Sequence, residues 1–212
     1  MPTILPSFGI PASALSKDGT ISFIGMAGTG KTTVGKGLAV ALGWACIDTD
    51  RLLEAYFGIH LQDLVDTLGL SDFLIAEEQL VTNLDTNRCI ISTGGSLIYS
   101  FKAIARLKSL GPVIYLKASL ATIRRRMAES HYCSGLSNCP IDTAAPPKPD
   151  ATEELHFYKR RGLVIAPDQT LEDLYYERLP LYAKAADFIL ATDTLTATDC
   201  IETVRRWLAH VH

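Results

Sequence analysis

The octapeptide Gly25-Met26-Ala27-Gly28-Thr29-Gly30-Lys31-Thr32 follows an apolar, β-branched run, Thr20-Ile21-Ser22-Phe23-Ile24, and leads into Val34, Leu38 and Leu42 at helical spacing. Strand, glycine loop and helix in that order make it a phosphate-binding loop, or P-loop. Its glycines let successive backbone N–H groups converge on a phosphate without Cβ clashes, and the helix N-terminus adds roughly half a positive charge there. Gly28, Thr29, Gly30, Lys31, Thr32 and Thr33 are the predicted nucleotide contacts. The Lys31 amine is expected to reach the β- and γ-phosphates, and the Thr32 hydroxyl to ligate Mg²⁺.

Around this loop the chain alternates strands and helices. Helix one is expected over 32–42, stopped by Gly43, with Gly35 and Gly37 inside it for close packing on a sheet. A second strand, 44–47, delivers Asp48-Thr49-Asp50. Three helical segments follow, at 51–57, 60–68 and about 72–85. In the last, Phe73, Glu77, Leu80 and Leu84 are read on one face, and Leu74, Glu78 and Val81 on another. Strands at 88–92 and 113–116 flank a helix at 100–109, and the first of them ends in Thr93-Gly94-Gly95-Ser96. A basic helix from Ser119 carries Arg124-Arg125-Arg126. The stretch 130–157, with Pro146-Pro147-Lys148-Pro149, reads as a long loop. A helix at 170–178 is expected to end before Pro180, and a strand at 188–191 and a helix at 197–210 finish the chain. This pattern predicts a single-domain α/β fold, a five-stranded parallel sheet flanked by helices, with ligands at the carboxyl ends of its strands.

Composition narrows the partners. The chain has 212 residues, 48% of them hydrophobic, enough for one domain with a sizeable core. A net charge of −3 gives no broad attraction to nucleic acid or anionic membrane, and no apolar run approaches a membrane span. Residues 1–19 lack the basic and apolar regions of a signal peptide and read as an irregular extension. Five cysteines without paired spacing fit reduced thiols, so a cytoplasmic monomer is the expectation. His131, Cys133, Cys139 and His156 match no standard zinc spacing and are read as loop.

Phosphoryl transfer requires a phosphate cradle, a metal, positive charge on the transferring group and a positioned acceptor. Lys31 and Thr32 serve the cradle, Asp48 together with Thr32 the metal, Arg161 the developing charge, and Asp50 the acceptor hydroxyl. Strand-end capping is the plainer reading of Asp48 and Asp50.

These residues resemble the shikimate kinase family, within the nucleoside-monophosphate-kinase-like group of P-loop proteins. The likeness runs from about 20 to 207. It rests on the P-loop, Asp48-Thr49-Asp50, Thr93-Gly94-Gly95, Arg161, Arg178-Leu179-Pro180-Leu181-Tyr182 and Asp193-Thr194, in that order. The resemblance implies ATP and Mg²⁺ as cofactors and a small hydroxyl compound as acceptor. It also implies that Asp50, Gly94 and Gly95 contact the acceptor and that Arg178 binds its carboxylate. Arg161 would be a lid arginine on the phosphates and Arg126 the arginine against adenine. Acceptor-binding helices are then expected at about 51–86 and a mobile lid at about 127–168, within one kinase domain from 20 to 212.

Three departures bear on the acceptor. The family's usual Phe-Arg-x-x-Glu reads Phe73-Leu74-Ile75-Ala76-Glu77, which removes an arginine that helps clamp the shikimate carboxylate. The third glycine of the usual triplet is Ser96. The lid is long, and Gly162 replaces a proline. The acceptor therefore stays open between shikimate, with Arg178 and another cation sharing the carboxylate, and another small hydroxy acid such as homoserine. A nucleotide-binding regulator without catalysis is the rival from another class. A GTPase is excluded by the missing Asn-Lys-x-Asp, and a motor ATPase by the single acid after Cys46-Ile47.

Overall fold

The computed structural model describes residues 19–133, 163–165 and 169–211, with the backbone alone at 130–133 and 211. Five parallel strands form one sheet in the order β2-β3-β1-β4-β5: β1 Thr20–Ile24, β2 Ala45–Asp48, β3 Cys89–Ser92, β4 Val113–Lys117 and β5 Phe188–Ala191. The helices are α1 Lys31–Leu42, α2 Thr49–Phe57, α3 Leu61–Thr82, α4 Phe101–Leu110, α5 Leu120–Cys133, α6 Leu171–Ala185 and α7 Ala197–Val211.

The central strands are buried on both faces, so they read as apolar runs, and the two faces separate by alternation. Ile21 and Phe23 of β1, Ile90 of β3 and Ile114 and Leu116 of β4 pack with Val34 and Leu38 of α1 and Val204 of α7. Ile24, Ile91, Val113 and Tyr115 point the other way, onto Val81 of α3, Leu107 of α4 and Tyr182 of α6. Close approach explains the glycines of α1, though only Gly35 faces the expected sheet: a Cβ there would stand 2.7 Å from Ser92 Oγ, while one on Gly37 would meet Ile201 Cδ1 of α7. A third, smaller core of Leu53, Leu61, Leu64, Phe73 and Val164 joins α2 to α3 beside the sheet.

The expected parallel architecture is present, as are the two helical segments within α3, and two local readings change. The two segments expected at 60–68 and 72–85 are the two halves of α3, which part at Gly69, where a φ of 75° breaks the helical path. The buried residues of its second half are Phe73, Glu77 and Val81, and Leu80 and Leu74 pack partly buried against the core around Phe73. Helix α6 does not stop before Pro180 but runs through it to Ala185. Proline there removes one N–H that would bond the Tyr176 carbonyl, and Tyr176 is exposed where water can serve instead. The buried face of Leu174, Arg178, Tyr182 and Ala185 holds the helix together across the gap. Finally, Ser96–Tyr99 form a 3₁₀ turn ahead of α4, whose cap is the Ser100 hydroxyl accepting from the Ala103 N–H at 3.0 Å. The extension before residue 19, most of the expected lid and Arg161 lie outside the described residues, as do the side chains of His131, Cys133, Cys139 and His156.

Candidate active site

The carboxyl ends of β1, β2 and β3 deliver the P-loop, Asp48 and Thr93 to one side of the sheet, where a cleft of about 730 Å³ opens. The P-loop turns at Gly28 and Gly30, with φ of 79° and 98°, values that a side chain rarely tolerates. A Cβ on Gly28 would also stand 2.9 Å from Met127 Cγ, so the cradle exists because those positions lack one. Lys31 is 8% exposed, and its Nζ donates to the Gly25 and Met26 carbonyls at 2.8 and 2.9 Å. Burial lowers its amine to about 8, against the opposing pull of Asp50 and Asp48. The Thr32 hydroxyl donates to Asp48 Oδ2 at 2.8 Å, and Asp48 also caps α2 by accepting from the Arg51 N–H at 3.3 Å. A hydroxyl and a carboxylate joined at the edge of the phosphate cradle are the oxygen donors that Mg²⁺ takes, so the residues fit that ion.

Of the three consecutive arginines on α5, Arg126 turns to the cleft. Its guanidinium donates to the Thr29 carbonyl at 3.2 Å and to the Thr192 hydroxyl and carbonyl at 3.0 and 2.5 Å, tying the P-loop to the end of β5. Arg125 pairs with Glu129 at 3.0 Å, although it too lines the cleft, and Arg124 lies 4.0 Å from Glu172.

The acceptor side is built on Gly94 and Gly95. The Gly94 N–H donates to the Thr49 hydroxyl at 2.9 Å, which fastens the loop after β3 to the start of α2. A Cβ on Gly94 would fall on Glu77 Oε1 and stand 2.5 Å from Asp50 Oδ1, so two carboxylates from α2 and α3 converge over this one residue. A Cβ on Gly95 would stand 3.2 Å from Arg178 Nη1. Arg178 is 1% exposed and held by neutral groups: Nη2 donates to the Val164 carbonyl at 2.8 Å, and Nε to the Tyr99 hydroxyl at 3.1 Å. Tyr99 also presents its ring to the guanidinium, 5.0 Å from the centroid, and its hydroxyl bonds Glu177 at 2.8 Å. Tyr182 completes the floor by donating to the Gly95 carbonyl at 2.7 Å.

The carboxyls here are strongly perturbed. Burial, followed by the charge of Asp48, raises Asp50 to about 6, with Lys31 opposing. Glu77, 1% exposed, rises to about 8 through burial and then the charge of Asp50. Ser96 donates to Glu77 Oε2 at 2.6 Å and opposes the rise, while Oε1 has no hydrogen-bond partner among the described residues. Leu74, one turn before Glu78, lines a small cleft with Glu77, Ser96 and Tyr99.

The predicted residues thus fall into two groups around one floor, with Lys31, Thr32, Asp48 and Arg126 on the phosphate side and Asp50, Gly94, Gly95 and Arg178 on the other. Glu77, Ser96 and Tyr99 were not among the predicted contacts. The available signal was Glu77 itself: four residues after Phe73, an acid shares the buried apolar stripe of a helix, where it must have a purpose or a partner.

The sequence matches the profile of the shikimate kinase family over residues 27–135. A shikimate kinase of Bordetella avium is 32% identical over 195 residues, 92% of this chain and 81% of the relative. A shikimate kinase 2 of Yersinia pseudotuberculosis is 36% identical over 110 residues, 52% of this chain and 63% of the relative. Among solved structures, a shikimate kinase from Acinetobacter baumannii in complex with shikimate superposes with a TM-score of 0.71 at 24% identity, covering 94% of this chain and 98% of that one.

Proposed function

The chain belongs to the shikimate kinase family, and from that membership we propose that it transfers the γ-phosphoryl group of ATP, with Mg²⁺, to a hydroxyl of a small carboxylate metabolite. It is a phosphotransferase with a hydroxyl acceptor. The observation that carries the finer reading is the floor at Gly94 and Gly95, which sets Asp50 and the buried Arg178 beside the P-loop lysine. A carboxylate on Arg178 would fix the acceptor's orientation, because among the described residues this buried guanidinium donates to neutral groups. Asp50 would then receive the acceptor hydroxyl.

In the transfer the hydroxyl oxygen forms a bond to the γ-phosphorus, the bridging P–O bond breaks with its electron pair leaving on ADP, and the hydroxyl proton passes to Asp50. Lys31 would leave its carbonyls for the β- and γ-phosphates. Thr32 and Asp48 would hold Mg²⁺, which when bound screens the phosphate charge. Arg126, joined to Thr29 and Thr192 beside the P-loop, would meet the adenine, the role that the family resemblance implies. Arg161 keeps the role the family gives it, as the lid arginine on the phosphates.

Shikimate is the first acceptor to try. Homoserine or a similar small hydroxy acid is favoured by Leu74, which puts an apolar wall in the cleft beside Glu77 where the family has a clamping arginine. A regulator that binds nucleotide without turnover would have no need of Asp50, Arg178 and the two-glycine floor together. ADP release with MgATP, measured with and without each acceptor, tests the reading: stimulation by a small hydroxy acid supports it, and tight ATP binding without stimulation by any acceptor supports the regulator.

A further inference from the structure

Three features of the acceptor side are unused by the transfer as described: the unpartnered Oε1 of Glu77, the leucine beside it and the serine bonded to its other oxygen. They belong together. A buried carboxylate next to Asp50 calls for a cation, Leu74 supplies none, and Ser96 offers only a neutral donor. Lys31 is committed to the phosphate side and Arg178 faces Gly95 through Nη1, so both charges oppose the rise of Glu77 without bonding its Oε1. The floor is therefore polarised along one peptide unit: two carboxylates converge over Gly94 and a guanidinium stands over Gly95, with Cα atoms about 3.8 Å apart.

We propose that the acceptor is a hydroxy amino acid in its zwitterionic form, with its ammonium on Glu77 Oε1 over Gly94 and its carboxylate on Arg178 over Gly95. Opposite charges over adjacent residues suit an α-amino acid, whose ammonium and carboxylate stand on one carbon. The hydroxyl on its side chain then remains for Asp50 and the phosphoryl group, and the ammonium keeps its protons throughout. A carboxylate-bearing polyol could offer a hydroxyl to Oε1, but it would add a negative charge beside Asp50 and leave the Glu77 carboxyl without a cation. The ammonium of an amino acid would stabilise the ionised form of Glu77, and its hydrogen bond is roughly twice as strong as a neutral one. Burial and the charge of Asp50, which together hold the Glu77 carboxyl high, are relieved by the same cation.

This inference rests on the reading of the site as a small-molecule kinase, and its test separates the two. Steady-state ADP release and titration calorimetry on the full chain would compare L-homoserine and L-serine with their deaminated counterparts, 4-hydroxybutyrate and 3-hydroxypropionate, and with shikimate. We expect kcat/KM for at least one amino acid to exceed that for its deaminated counterpart by about tenfold to a hundredfold. That ratio should fall about tenfold in Glu77→Gln, which preserves the Ser96 contact, and again in Leu74→Arg, which gives Glu77 an internal cation. Strong turnover of shikimate with no advantage from the amino group would overturn the inference and leave the kinase reading standing. Should none of the five stimulate ADP release, the kinase reading fails for them. Calorimetry then decides the inference alone: tighter binding of an amino acid than of its deaminated counterpart, lost in Glu77→Gln, upholds it, and equal binding overturns it.

Discussion

On the phosphate side of the floor the Lys31, Thr32 and Arg126 side chains each have a partner, whereas on the acceptor side a buried carboxylate oxygen has none among the described residues. Lys31 rests on two carbonyls, Thr32 on Asp48, and Arg126 on Thr29 and Thr192. Glu77, by contrast, has Ser96 on one oxygen and nothing among the described residues on the other. A self-satisfied half can serve any nucleoside triphosphate without change from one relative to the next. The unsatisfied half is where specificity is decided, because an unpaired buried group penalises every ligand that fails to complete it.

The largest effect should come from the satisfied half. Lys31→Ala is expected to reduce turnover more than about a thousandfold while the melting temperature shows a cooperatively folded protein, because the amine acts on phosphate charge. Near-normal activity would remove the kinase reading altogether. Asp50→Asn comes next, with a kcat loss of about a hundredfold to a thousandfold and little change in ATP affinity. A collapse of ATP affinity would instead assign Asp50 to the metal and reverse the roles of the two aspartates.

Stability sharpens the comparison from the other half. The folded-state carboxyl of Glu77 lies near 8, above its ordinary 4.5, so the native state holds this proton more tightly than the unfolded chain does. Its contribution is therefore fully present below about pH 4.5 and is lost as pH rises through about 8. Glu77→Gln has no proton to lose, so its melting temperature should gain on wild type between pH 5 and pH 9, by up to a few kcal/mol in stability. Parallel melting curves across that range would show that Glu77 is not desolvated as described. The smallest effect concerns the wall. Leu74→Arg should raise kcat/KM for shikimate about tenfold, the scale of one charge-assisted contact near 1.4 kcal/mol. Wild-type activity on shikimate that is already strong would show the clamp to be dispensable.

The same two halves differ in how far they could be read from sequence. Gly25 to Thr32 are contiguous, and each residue's task follows from backbone geometry and phosphate charge, so strand, loop and helix were legible together. Asp48 and Asp50 were legible as the end of the next strand. The acceptor side depends on contacts between distant elements. Leu74 and Ser96 read as two separate departures, and nothing in their spacing shows that both border Glu77, which Ser96 meets across 19 positions. Pro180 misled because a local rule about the missing N–H was set against a buried face that spans it.

Lys31 has two of its three N–H donors engaged by the carbonyls of Gly25 and Met26, within its own loop. A ligand entering the cradle must therefore exchange bonds with the lysine, and an anion gains only by what its charge adds beyond two neutral oxygens. A dispersed or single charge adds little to that exchange, while adjacent phosphates add a great deal. The loop thus acts as a charge threshold: it discriminates by the density of negative charge before any base or sugar is read.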